Sequence, residues 1–196
     1  VMGISTPSFF SGILIAYVDS SQLKLPPERE MPFQQELLSR VRAIPGVTSA
    51  AQILFTPLSL AGWDDLVDIP YGPQRTDVTF NRISPGYFKT METALLAGRD
   101  FSQTDFPTAP RTAIVNQAFA RKFYGGGNPI GRAFHDAGQP GKTYQIIGLV
   151  QDSKFYDLRE VPVPTVYLSF TQASGPEQQS TLVIRSDEPL LPLISS

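Results

Sequence analysis

The 196-residue sequence has no cysteine and a single histidine, His135. The first absence excludes disulfides, zinc–thiolate centres and thiol nucleophiles. It says little about compartment, because bacterial envelope proteins often lack cysteine. The second leaves His135 as the only base for a Ser-His-Asp triad, and no Gly-x-Ser-x-Gly elbow accompanies it. His135 sits at a strand end before a turn, where a solvated imidazole is the ordinary reading. Charge is also sparse, at 17% of residues and a net −2, and no Lys/Arg cluster exceeds two adjacent residues, so nothing argues for nucleic acid. No apolar run approaches the roughly 18 residues of a membrane span. Val1 to Val18 has neither a basic start nor a small-residue cleavage site. The expectation is a piece soluble as given but cut from a membrane protein, since Val1-Met2-Gly3 is not a natural start.

What is present is globular. Apolar residues make up 41%, enough for a real core in one domain or two small lobes. Eighteen prolines and 15 glycines imply many turns and short strands. Residues 1–12 read as a tail or linker. Ile13 to Val18 is a short strand. A helix follows from about Glu28 to Ala43, with Glu28 and Glu30 in its first turn and Arg40 and Arg42 in its last, as the helix dipole favours. Phe33, Leu37, Val41 and Ile44 step by four, four and three, which predicts one buried stripe. Pro45-Gly46 ends the helix and Val47 to Phe55 is a strand, so the unit reads as a split βαβ.

The richest stretch runs from Phe80 to Phe134. Ser84-Pro85-Gly86 is turn chemistry closing a strand, and Ser84 is expected to cap a short helix starting at Pro85. Tyr87, Phe88 and Met91 form its apolar face. Leu95-Leu96 predicts a buried strand, Gly98 a turn, and Phe101 a pin holding the loop to the core. Asn116 is an N-cap after the strand Thr112 to Val115. Phe119 and Phe123 form an i, i+4 stripe, and Gly125 takes the left-handed position beyond the helix. A hairpin turn spans Asp136 to Lys142 and feeds the strongest strand, Tyr144 to Val150. A turn of helix is expected over Phe155 to Glu160. Further strands cover Val166 to Phe170 and Thr181 to Arg185.

Several residues invite functional readings beside plainer ones. Arg99 could bind an anion; the favoured reading is an Arg bonded to loop carbonyls. Gly125-Gly126-Gly127 suggests a phosphate loop, but lacks the Lys-Ser/Thr and follows a helix instead of opening one. Asp64 and Asp65 suggest a metal, yet neighbours on a strand point to opposite faces and no His is near in sequence. Trp63 is a core plug or an exposed contact, the plug being favoured. Pro162 and Pro164 around Val163, with Thr165, could be a peptide ligand; stiff edge protection is favoured. No residue is assigned a catalytic, cofactor or metal role, and no partner-binding residue is placed.

Taken together and in order, Ser84-Pro85-Gly86-Tyr87-Phe88, Leu96-Ala97-Gly98-Arg99-Asp100-Phe101, Ala113-Ile114-Val115-Asn116, Phe119-Ala120, Asn128-Pro129-Ile130-Gly131 and Ile146-Ile147-Gly148-Leu149-Val150-Gln151-Asp152 resemble the extracytoplasmic domain of MacB-type ABC transporter permeases. The resemblance covers roughly Ile13 to Ser186. It implies an α+β fold, with a porter-like lobe of split βαβ type and an inserted smaller mixed α/β lobe. Mapped here, the first porter half is 13–55, the inserted lobe 56–175, and 176–196 the return strand of a truncated porter lobe. It implies a non-catalytic periplasmic part of an inner-membrane protein. This part transmits ATP-driven motion during efflux of peptides, antibiotics or lipoproteins. The implied partners are a periplasmic adaptor, an outer-membrane channel and a second permease copy or paired permease; no cofactor is implied. Two departures stand out. Glu92 replaces an expected Gly after Met91, and the tail after Asp187 is too short for a second porter helix. The alternatives are a free-standing hydrolase using the Asp64-Asp65 loop and His135, and a solute- or lipid-binding module.

Overall fold

The structure, a computed structural model, describes residues 3–5, 12–57, 59, 62–70, 72–102, 104–139, 141–154, 159–173 and 179–187. The helical turn expected over 155–160, the loop before the last strand and the chain end therefore fall wholly or largely outside the described residues.

Beside β1 (Gly3–Ser5), β2 (Ile13–Asp19) leads through a 3-10 turn, Ser21–Leu23, to α1 (Pro27–Arg42) and β3 (Val47–Ile53). β11 (Gln179–Ser186) lies between β2 and β3 and pairs antiparallel with both. β2 and β3 are therefore parallel, with α1 as their crossover. Leu14, Ala16, Leu38, Ala50, Leu182 and Ile184 form the core beneath α1. Leu37 and Val41 pack only at its margin, while Leu38 is buried, so the stripe sits slightly rotated from the predicted one. The Arg42 Nε donates to the Ala50 carbonyl at 2.8 Å and its Nη2 to the Pro85 carbonyl at 2.9 Å. A cation placed by the helix dipole thus also ties α1 to its neighbours. β1 falls inside the stretch read as a tail. It pairs with the open edge of β2 through main-chain bonds, which need no apolar pattern.

The remaining strands close on themselves. β4 (Trp63–Asp68), β5 (Thr76–Ile83), β7 (Thr112–Asn116), β8 (Ala133–Asp136), β9 (Thr143–Val150) and β10 (Thr165–Ser169) pair in the ring β5-β10-β7-β9-β8-β4-β5. This is a six-stranded barrel. Phe80, Phe134, Tyr144, Ile146, Val166 and Leu168 fill it. α3 (Gln117–Tyr124) stoppers one end with Phe119, whose ring centroid is 5.8 Å from Phe134. The ring joins the first sheet where β3 meets β5, through the single register pair Ile53↔Ile83. β6 (Leu95–Gly98) pairs with the second half of β9. Two aromatic residues of α2 (Tyr87–Thr90), Tyr87 and Phe88, pack with Tyr167 beside that junction. The whole is mixed α+β.

Two local expectations are corrected and a third is explained. Ser84 does not cap α2; its Oγ accepts the Gln52 N–H at 2.8 Å, and Gly86 at φ 89° opens the helix. β6 is a strand, but Leu95 and Leu96 are exposed, because β6 lies at the sheet margin where residues pair without being covered. Glu92 takes φ 54°, the left-handed conformation that explains why a glycine was expected there.

Candidate functional site

Two polar constructions lie outside the apolar cores. The first latches the loop between β6 and β7. Asp105 is almost fully buried, and its two carboxylate oxygens accept from Arg99 Nη1 and Nη2, each at 2.8 Å. The same carboxylate accepts the Ser102 N–H at 2.8 Å. Gln172 continues the network: its Oε1 accepts the Thr112 N–H at 3.0 Å and its Nε2 donates to the Pro110 carbonyl at 3.0 Å. The Arg99 guanidinium holds the Asp105 carboxyl below its ordinary range, and Asp105 in turn raises Arg99. Arg99 also donates to the Asp100 carbonyl oxygen. It is thus a structural clamp, with a carboxylate as its main partner besides the expected carbonyl.

The second construction is the barrel end opposite α3. Arg82 at the end of β5, Arg111 before β7 and Lys142 before β9 line one shallow pocket with Thr112, Tyr144, Leu168, Ser169 and Gln172. Its enclosed volume is about 10 Å³, room for about one water. Arg82 lies 5.2 Å over the Trp63 ring, and Trp63 stacks on Phe80 at 5.0 Å. Trp63 is half-buried and packs on the barrel core, so it plugs with one face and carries a cation on the ring. Lys142 donates to Gln139 Oε1. Burial, then the charges of Arg111 and Arg82, lower the Lys142 pKa against a smaller pull from Asp136. Burial raises the Asp136 carboxyl, and the Asp65 charge raises it further. Burial likewise raises Tyr144.

The other predicted residues are dispersed. Asp64 accepts from Thr79 Oγ1 at 2.8 Å on the outer side of β4, whereas Asp65 accepts the Leu66 N–H and lies against Gly138. His135 is exposed and its Nδ1 shares a hydrogen bond of 2.8 Å with Thr143 Oγ1. Among the described residues no three His, Asp or Glu side chains are grouped to hold a metal ion. Gly125-Gly126-Gly127 is exposed at the carbonyl end of α3, the end that disfavours anions. Val163 is held from inside, its carbonyl accepting from Asn116 Nδ2 at 2.8 Å. Sequence reasoning did not find the cation cluster, whose members lie 29 and 31 residues apart; only the barrel closure brings them together.

The fold, an α-crossed sheet joined to a small stoppered barrel, carries no gathered catalytic constellation among its described residues. The chain belongs to the MacB-like periplasmic core domain family, whose model matches residues 6–190. Its place is therefore extracytoplasmic, as part of an ABC-type transporter permease. The solved periplasmic region of MacB from Actinobacillus actinomycetemcomitans is similar with a TM-score of 0.60 at 11% identity, over 95% of this chain and 80% of that one. The extracellular domain of the noncanonic ABC-type transporter YknZ from Gram-positive bacteria gives 0.55 at 18% identity, over 88% and 82%. At such identities the likeness speaks to fold alone. No curated protein matches the chain. Among the described residues no helix is long and apolar enough to cross a membrane.

Proposed function

We propose that the chain is the non-catalytic outer domain of an ABC-type efflux permease, moved by ATP hydrolysis in the cytoplasm and contacting an adaptor protein or the cargo. The observation that carries this reading is the family match, which spans nearly the entire chain. The scattering of Asp64, Asp65 and His135 supports a mechanical role over a hydrolytic one. Residues 13–55 and 176–196 then form the porter-like lobe of split βαβ type, and 56–175 the second lobe. The division follows the order of the chain: β3 and β5 share a single register pair, while one apolar core, with Ile13, Ile15, Ala51, Ile53 and Val183 against Ile83, Tyr87, Phe88 and Tyr167, runs across the boundary. In the assembly the domain works beside a second permease copy or a paired permease, with a periplasmic adaptor and an outer-membrane channel.

Deleting residues 13–186 from the parent permease tests the reading. Export is expected to stop while the transporter still reaches the membrane and hydrolyses ATP. Export that persists without the domain would refute it.

A further inference from the structure

A joint between two packed units bends where few buried groups cross it. The joint between the α-crossed sheet and the barrel is of the other kind. Ile53 and Val183 of the sheet share one apolar core with Ile83, Tyr87, Phe88 and Tyr167 of the far side. Around the pair Ile53↔Ile83, the Leu54 N–H donates to the Arg82 carbonyl at 2.9 Å and the Ser84 N–H to the Gln52 carbonyl at 3.0 Å. Beyond Leu54 a side chain takes over from the strand. The fully buried Asn81 accepts the Phe55 N–H on its Oδ1 at 3.2 Å and donates from its Nδ2 to the Phe55 carbonyl at 2.8 Å. One amide thus gives Phe55 both the acceptor and the donor that a neighbouring strand would supply.

α2 fastens the same joint a second time. Its rings, Tyr87 and Phe88, enter the shared core, and arginines of the sheet hold both its ends. Arg42, which ends α1, donates to the Pro85 carbonyl at 2.9 Å just before α2. Arg185 on β11 donates from Nε to the carbonyl of Thr90, the last residue of α2, at 2.8 Å, and pairs with Glu92 at 3.1 Å. Turning the barrel against the sheet would bring buried rings into water and leave the Phe55 main chain without partners. We propose that sheet and barrel form one rigid lever, its joint locked by Asn81 and by α2. A displacement applied at α1 then reaches the stoppered barrel without being lost in bending. That consequence rests on the transporter role proposed above; the lock itself does not.

The chain has no cysteine, so nitroxides on Gln35→Cys in α1 and Asn128→Cys beyond α3, both exposed, report one distance across the joint. Pulsed electron paramagnetic resonance on the chain should give one narrow distribution. Two populations, or a spread several ångströms beyond that of the labels, would overturn the proposal. Adding Asn81→Ala and Arg185→Gln together should widen the distribution while circular dichroism keeps its folded signal. Lys89→Gln, on the exposed side of α2, should leave it narrow. A folded double variant with an unchanged distribution would overturn the roles of Asn81 and α2. Should that variant not fold, heating a chain without those two substitutions decides. Trp63 emission in the barrel and a fluorophore on Gln35→Cys in the sheet should lose their folded signals at one midpoint, and separate midpoints would overturn the lock. In the parent permease the folded double variant should hydrolyse ATP but export severalfold less. Full export through the loosened joint would overturn the lever, whereas the deletion described above reads whether the domain is needed at all.

Discussion

Replacing Asn116 by alanine should cost far more than a helix cap usually does. The residue is fully buried between β7 and α3. Its Oδ1 accepts the Phe119 N–H at 3.0 Å and the Thr165 N–H at 2.9 Å, while its Nδ2 donates to the Val163 carbonyl at 2.8 Å. Loss of the cap alone costs about 1 kcal/mol. The Thr165 N–H would be left buried without its acceptor, at roughly 1–3 kcal/mol. The Val163 carbonyl keeps the Thr165 hydroxyl at 3.0 Å, so its loss adds about 1 kcal/mol or less. The three effects together come to roughly 2–5 kcal/mol. Urea unfolding followed by circular dichroism and Trp63 emission measures it. Asn128→Ala, where an exposed Oδ1 accepts only the Ile130 N–H, is the control and should cost about 1 kcal/mol or less. A loss below about 1 kcal/mol for Asn116→Ala would mean that water or a shifted backbone satisfies these groups, and the reasoning would fail.

Other outcomes follow from single positions. Glu92→Gly should stabilise by about 0.5–1 kcal/mol by relieving the left-handed backbone, offset by the exposed ion pair to Arg185. Glu92→Gln isolates the pair and should change stability by less than about 0.5 kcal/mol in the same melts. Gly98→Ala should cost about 3 kcal/mol or more, because at φ 76° a Cβ would lie 2.1 Å from the Ile147 carbonyl oxygen. Asp105→Asn tests the loop latch through pH. The folded-state pKa of Asp105 is depressed, so its contribution is present above the unfolded value near about 3.9 and fades as pH falls through the folded value. Asp100 and Asp136 shift upward and act in the opposite sense. The difference between wild type and Asp105→Asn should therefore shrink below about pH 4, and a constant gap would contradict the assignment.

Local signals were legible where one residue type answers one need. α1 begins at a proline with acids in its first turn and ends on arginines; Asn116 caps α3; Gly125 closes it in the left-handed conformation. The hairpin into β9 was likewise visible from its Gly and Pro. What stayed hidden depends on partners distant in sequence. β4 carries Asp64, Asp65 and Asp68 among its six residues, a poor strand pattern, yet it closes the barrel between β5 and β8. The short apolar run at Leu95-Leu96 could not report its own exposure, because burial is set by what lies above the strand. Arg99 and Asp105 lie in one loop, but nothing in their spacing says that the acid turns inward. Ser84 looked like a cap from its neighbours and instead serves Gln52, 32 residues away.

The claim that this domain is moved by the transporter has one direct test. The chain has no cysteine, so a parent permease otherwise free of cysteine can carry single nitroxide labels at Gln35 on α1 or at Asn128 beyond α3, both exposed. Pulsed electron paramagnetic resonance then gives the distance between the two copies with ATP bound and without nucleotide. The account predicts distance distributions that differ between the two states by several ångströms at one label site or both. Identical distributions at both sites, in a transporter that is hydrolysing ATP and exporting, would contradict it.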